Sequence, residues 1–339
     1  MSELAAIFGV LGPKLTAGER AFFRDANPWG FILFARNIET PEQIRRLTSD
    51  LRACVGRDCL IFIDQEGGRV QRLRPPHWRN YASYATLATN YNDEPEEARR
   101  LVWLHHRLIA DDLRALGINA NCAPCIDVKR LGAHDIISDR AFSRHAEKVA
   151  DMGHAAMAGL MAGGVAPVVK HIPGHGRAKV DSHHALPHIE TKLSTLRKTD
   201  FLPFKMLNQA PMGMTAHAVY KALDKRLPIT LSKLSLPIII RDEIGFDGLV
   251  MTDDLDMHAL SGSLTSRAER ALAAGCDVVL HCNGKMASMV KVAKGTQKLS
   301  KESQKRADIA VLCTEHIEEF DRKTAESDYD TQVSKFDVS

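Results

Sequence analysis

The chain has 339 residues, 45% of them hydrophobic and 26% charged, with a formal net charge of +3. This is ordinary for a globular protein with a sizeable core, and the length fits two average domains or one large α/β barrel. The small charge argues against a nucleic-acid partner; the lysine-rich region after Lys291 reads as a solvated helix face.

In chain order, the apolar stretch Leu4 to Leu11 comes first. It lacks a basic leader and a small-residue cleavage pattern, so it reads as a strand rather than a secretion signal. The predicted strands are Ile7–Leu11, Gly30–Phe34, Leu60–Ile63, Ile118–Ile126, Val165–Val169, Gly213–Thr215, Gly248–Met251 and Asp277–His281. Helical patterns lie between them, at Thr40–Ala53, Glu94–Leu116, Arg144–Ala162, Lys192–Leu207 and Leu231–Ile244. Thr40–Pro41–Glu42 marks a helix start, Ser143 precedes another, and Gly117, Gly163, Gly245 and Gly275 stand where helices should end. From about Phe320 the chain turns polar and reads as a frayed tail.

Alternating strands and helices predict a parallel sheet, here a single (β/α)₈ barrel over residues 1–319 with a tail at 320–339. An open doubly wound sheet is disfavoured, because no G-x-G-x-x-G follows the first strand. No apolar run reaches membrane-spanning length. Seven cysteines without framework spacing fit a reducing compartment, so a cytoplasmic protein is expected. Cys122 and Cys125 lie inside a strand-like run and read as core thiols rather than a redox or metal pair.

A barrel should carry its chemistry just after the strand C-termini, and Asp64, Asp127, His171, His217, Asp253 and His281 all stand there. The densest group is Lys170–His171–Ile172–Pro173–Gly174–His175–Gly176, followed by Asp181–Ser182–His183. Polar groups leaving a buried strand are costly without a purpose, and the glycines permit an irregular loop ending in a carboxylate–imidazole pair. Asp181 beside His183 suits general acid/base work. Asp253 and Asp254, in Thr252–Asp253–Asp254–Leu255–Asp256–Met257, offer a nucleophile, base or metal ligand, with helix capping the alternative for Asp254 or Asp256. In Asp64–Gln65–Glu66–Gly67–Gly68–Arg69–Val70–Gln71–Arg72 the glycine pair lets backbone approach a ligand, and Asp64 and the arginines offer paired hydrogen bonds. His171, His175, His183 and His184 are disfavoured as a metal site, because Pro173 and two glycines break the helical logic of the first pair.

Together these three motifs resemble glycoside hydrolase family 3, and within it the short bacterial β-N-acetylglucosaminidases of peptidoglycan recycling; the resemblance spans about residues 5 to 285. It implies a cytoplasmic (β/α)₈ barrel that removes terminal N-acetylglucosamine from 1,6-anhydro-muramyl fragments, with no cofactor or metal and no nucleic-acid or membrane partner. A monomer is compatible with it. It further implies Asp253 as nucleophile, His183 as acid/base and Asp181 as its partner. Asp64, Arg72, Arg140, Lys170 and His171 match sugar-binding positions. The choice of Asp253 over Asp254 rests on the resemblance alone. Two positions depart from the pattern: Ile172 stands where Phe is common, and Asp256 where Ser is common. If close, the extra carboxylate would raise the nucleophile's pKa. A phosphorylase using phosphate in place of water, a metal-dependent barrel hydrolase and a non-catalytic sugar sensor remain the alternatives.

Overall fold

The apolar runs are strands because each alternates between two dry surfaces. In β3 (Leu60–Ile63), Leu60 and Phe62 face the barrel interior while Ile61 and Ile63 face the surrounding helices. The computed structural model describes residues 3–132, 134–135 and 137–336. Its strands are β1 (Leu4–Gly9), β2 (Pro28–Leu33), β3, β4 (Ala120–Asn121), β5 (Ala166–Ile172), β6 (Met212–Thr215), β7 (Leu249–Asp254) and β8 (Val278–His281). Each pairs in parallel with its chain neighbour, and β1 with β8, so the barrel closes. The interior is filled by Ile7, Trp29, Phe62, Val168, Met212, Met251 and their neighbours. This packed core leaves only the C-terminal rim for a site.

The helix that precedes β3, Pro41–Val55, starts as read: Thr40 accepts the Gln43 N–H, and Gly56 ends the helix in the left-handed region at φ 66°. Other boundaries moved. The run 118–126 pairs regularly only at Ala120–Asn121, because Pro124 has no N–H to give; ladder contacts resume where Lys170 N–H donates to Pro124 O and Ile126 N–H to Lys170 O. The helix expected from Arg144 begins at Ala146, and the Ser143 hydroxyl accepts the His145 N–H instead of capping it. The span 192–207 divides into Leu193–Lys198 and Leu202–Met206, and within 231–244 only Pro237–Glu243 coils, as a π-helix.

The tail is not frayed over its described part. Residues Arg322–Ser334 form a helix against the long helix Pro95–Arg114. Its buried residues, Ala325 and Tyr329, stand four apart, a stripe too narrow to register as amphipathic. The Tyr329 hydroxyl meets His105 Nδ1 at 3.0 Å, and His105 Nε2 donates to the carbonyl of Glu66 at 2.8 Å. Arg322 adds bonds to Asp111 and Asp112. No described helix is long and apolar enough to cross a membrane.

Candidate active site

A cavity of about 200 Å³ opens at the C-terminal rim of the barrel. It is smaller than a drug-sized pocket and suits a single sugar ring. Asp64, Arg72, Arg140, Lys170, His171, His183 and Asp253 all line it, and Asp181 stands behind His183. All eight residues singled out in the sequence are therefore brought to one place.

One wall is a closed ionic lattice. Lys170, 2% exposed at the end of β5, donates to Asp64 at 3.0 Å and contacts Glu66 at 2.8 Å. Arg72 reaches the other Asp64 oxygen at 3.0 Å, and Arg140 grips Glu66 with two bonds of 2.8 and 3.0 Å. Burial alone would raise the pKa of both carboxyls. The cations reverse this: Lys170 and Arg72 hold Asp64 far below the carboxylate range, and Arg140 and Lys170 hold Glu66 at about 2. A group so firmly ionised does not give a proton at neutral pH, so Glu66 does not serve as a general acid.

The local fold makes this lattice possible. The turn Gln65–Gly67 pairs with Val70–Gln71, and the Gln65 side chain is held by the Arg72 and Leu73 N–H groups. Gly67 has φ 108°, and a Cβ there would lie 2.3 Å from the Ala82 carbonyl, so only glycine fits. Arg69 ties the turn to the opposite loop through Asp139 at 2.6 Å.

His171 is oriented by the fully buried Asp127. Its Nδ1–H donates to Asp127 Oδ2 at 2.7 Å, which leaves Nε2 for the cavity. The other Asp127 oxygen takes the His171 and His175 backbone N–H groups. Asp127 stood among the strand-end residues in the sequence, but its orienting role needed the crossing of β4 and β5. Cys125, Asp127 and His171 are the one group of converging metal-ligand atoms among the described residues. These atoms already satisfy one another, with the thiol 3.4 Å and the imidazole 2.7 Å from the same carboxylate oxygen. The histidine cluster weighed from the sequence does not converge in this way. Cys122 and Cys125 are fully buried with thiol pKa values pushed up by burial, as core thiols should be.

Asp253 is the last residue but one of β7 and is half-buried. Burial works against its charge, but the imidazoles of His217 and His171 and the Asp254 N–H, at 2.8 Å, lower its pKa overall. Asp254 behaves oppositely. Burial and the charges of Asp253 and Asp256 push it up to about 6, although the Asp256 and Cys282 N–H groups bind it. The extra carboxylate of Asp256 is turned to Asn283 at 2.7 Å and is felt at Asp254, not at the expected nucleophile.

On the far side, Asp181 and His183 form a pair of another kind. Asp181 Oδ1 accepts both the His183 Nδ1–H and its backbone N–H at 2.8 Å, while the imidazole is 62% exposed. The His183 ring is fixed in orientation by its partner but not buried by the barrel.

The family model for the glycosyl hydrolase family 3 N terminal domain matches residues 3–313. The chain belongs to glycosyl hydrolase family 3. A beta-hexosaminidase of Alkalilimnicola ehrlichii is 40% identical over 281 residues, covering 82% of this chain and 80% of that protein. Among solved structures, native NagZ from Neisseria gonorrhoeae superposes with a TM-score of 0.85 at 28% identity, covering 99% of this chain and 97% of its own. The same enzyme in complex with N-trifluoroacetyl-D-glucosamine gives 0.84 at 28% identity, covering 99% and 98%. The protein is thus a glycosidase of the β-hexosaminidase group, and the (β/α)₈ reading of the sequence holds.

Cavity-lining residues that the sequence reading passed over are mostly apolar: Ile32, Phe34, Met214 and Leu280. They carry no motif, and only their position at strand ends could have singled them out.

Proposed function

We propose that the protein is a retaining exo-β-N-acetylglucosaminidase that removes terminal N-acetylglucosamine from 1,6-anhydro-muramyl fragments during cell-wall recycling in the cytoplasm. The observation that carries this reading is the pairing of Asp253, ionised in a cavity of one-sugar size, with the His183–Asp181 dyad at its mouth. Asp64, Arg72, Arg140, Lys170 and His171 hold the hydroxyls of the terminal sugar. Asp253 attacks the anomeric carbon and His183 protonates the departing oxygen, forming a glycosyl-aspartate. His183, now neutral, takes a proton from water as it attacks that ester, releasing N-acetylglucosamine and restoring Asp253. Asp181 keeps Nδ1 protonated and so leaves Nε2 to carry the proton both ways. This dyad replaces the second carboxylate that most glycosidases use.

The test is release of 4-nitrophenol from its N-acetyl-β-glucosaminide, with products identified, with and without phosphate and after exhaustive chelation. Free N-acetylglucosamine, unaltered by phosphate or chelator, is the expected product. Formation of the 1-phosphate would make the enzyme a phosphorylase, and loss on chelation with recovery on metal addition would make it a metallohydrolase.

A further inference from the structure

A second cavity, of about 490 Å³, lies beside the dyad loop and shares no lining residue with the sugar site. Its walls come from the loop after β4, with Arg130 and Leu131, and from the start of the loop after β5, with Arg177 and Lys179. The two loops are stitched together where the His134 N–H donates to the Ala178 carbonyl at 2.8 Å. Gly176 packs so closely on Val128 that a Cβ would fall 2.0 Å from its carbonyl oxygen.

The charges in this groove are unevenly satisfied. Arg177 is committed to the buried Asp200 at 2.8 Å. Glu190 is the carboxylate on the wall. Arg130 has Nε and one terminal nitrogen shielded from solvent with no hydrogen-bond partner, a costly arrangement that an arriving acceptor would relieve. Lys179 is exposed at the edge, as is the side chain of Leu131.

We propose that this groove is a carboxylate-binding subsite for the acidic aglycone of the substrate, reading the charge beyond the scissile bond. The inference rests on the muramyl substrate class given above, whose lactyl ether, or the peptide joined to it by an amide, ends in carboxylates. Reach supports it: Lys179 is four residues from His183, so their Cα atoms are at most roughly 14 Å apart, a span that a sugar and a short peptide cover. The aglycone carboxylate pairs with Arg130 and Lys179, and its apolar parts lie on Leu131. Because the groove's far wall is the dyad loop itself, an occupied groove also holds that loop near the sugar.

Three substrates decide the matter in the intact enzyme: the neutral aryl N-acetylglucosaminide, an N-acetylglucosaminyl muramyl dipeptide, and the same dipeptide with its carboxyls amidated. R130Q/K179Q should raise KM for the charged muramyl compound about tenfold or more. It should leave kcat/KM for the aryl and amidated substrates within about twofold. In the wild type, added salt should weaken the charged substrate alone. An equal loss on all three would mean that the two residues only support the loops, and no loss on any would mean the groove is not used; either overturns the proposal. Cleavage of the aryl glycoside with neither muramyl compound cleaved contradicts the functional reading itself and takes the groove's occupant with it.

Discussion

The two sides of the sugar cavity are built on opposite principles. On one, Asp64, Glu66, Lys170, Arg72 and Arg140 form a lattice of five charges, with Lys170 and Glu66 almost wholly removed from solvent. On the other, His183 depends on a single carboxylate and is 62% exposed. The first side is preorganised: its buried charges are each paired, and in the proposed function they offer fixed bonds to a sugar. In the proposed mechanism the second side receives and returns a proton, which calls for an accessible imidazole on a loop that can adjust as the sugar enters. Asp253, the proposed nucleophile, lines the same cavity, and its pKa is lowered by the imidazoles of His217 and His171 rather than by a salt bridge.

The comparison predicts different kinds of damage. Asp253→Asn should be the most severe in rate, lowering kcat by roughly 10³ or more by analogy with other removed nucleophiles, with little change in stability. A 2-fluoro or 5-fluoro N-acetylglucosamine-type reagent should label Asp253 in the wild type. A label on Asp254 would reassign the nucleophile.

Lys170→Met should be the most severe in stability. It removes the cation that Asp64 and Glu66 share and leaves each carboxylate with one arginine, Arg72 and Arg140 respectively; breaking a buried pair costs at most about 3–5 kcal/mol. His183→Ala, on the exposed side, should stay within about 0.5 kcal/mol of wild type. Urea unfolding of both variants measures the contrast, and equal stabilities would dissolve it.

Acid should act by a further route. His106 and His175 are buried, and burial lowers each to about 4, whereas both titrate near about 6.5 in an unfolded chain. Each therefore contributes stability that is fully present above about pH 6.5 and is lost as the pH falls toward 4, because the unfolded chain takes up protons first. Asp64, Asp127 and Glu66, with depressed pKa values, add a second loss below about pH 4. The urea midpoint should decline from pH 7 to 4.5 before the carboxylates titrate. A midpoint flat over that range would mean these histidines are not held neutral.

Much of this is legible in the sequence because the barrel forces it. Strand ends gather at one rim, so a chemical residue after an apolar run is already placed; Asp64, His171 and Asp253 needed nothing more. Asp181 and His183 were readable as a pair by local spacing. What was hidden depends on contacts across the chain. Glu66 carries no sign in its own motif that Arg140, 74 residues away, holds it. The helix Arg322–Ser334 is polar almost all round, and its place is set by Tyr329 and Arg322 meeting the helix Pro95–Arg114. Asp256 was legible as an extra charge, but only its bond to Asn283 shows which neighbour feels it.

In the proposed mechanism the exposed imidazole of His183 does the proton transfer while the buried lattice only holds the sugar. The most direct measurement is the rate of His183→Ala on aryl N-acetylglucosaminides whose leaving groups span a range of pKa, with and without azide. If His183 is the acid, the loss grows as the leaving group becomes poorer. For good leaving groups the variant forms the glycosyl-enzyme and stalls, and azide, which needs no base, partly restores turnover. A loss uniform across leaving groups and untouched by azide would contradict this mechanism and reduce His183 to a sugar-positioning residue.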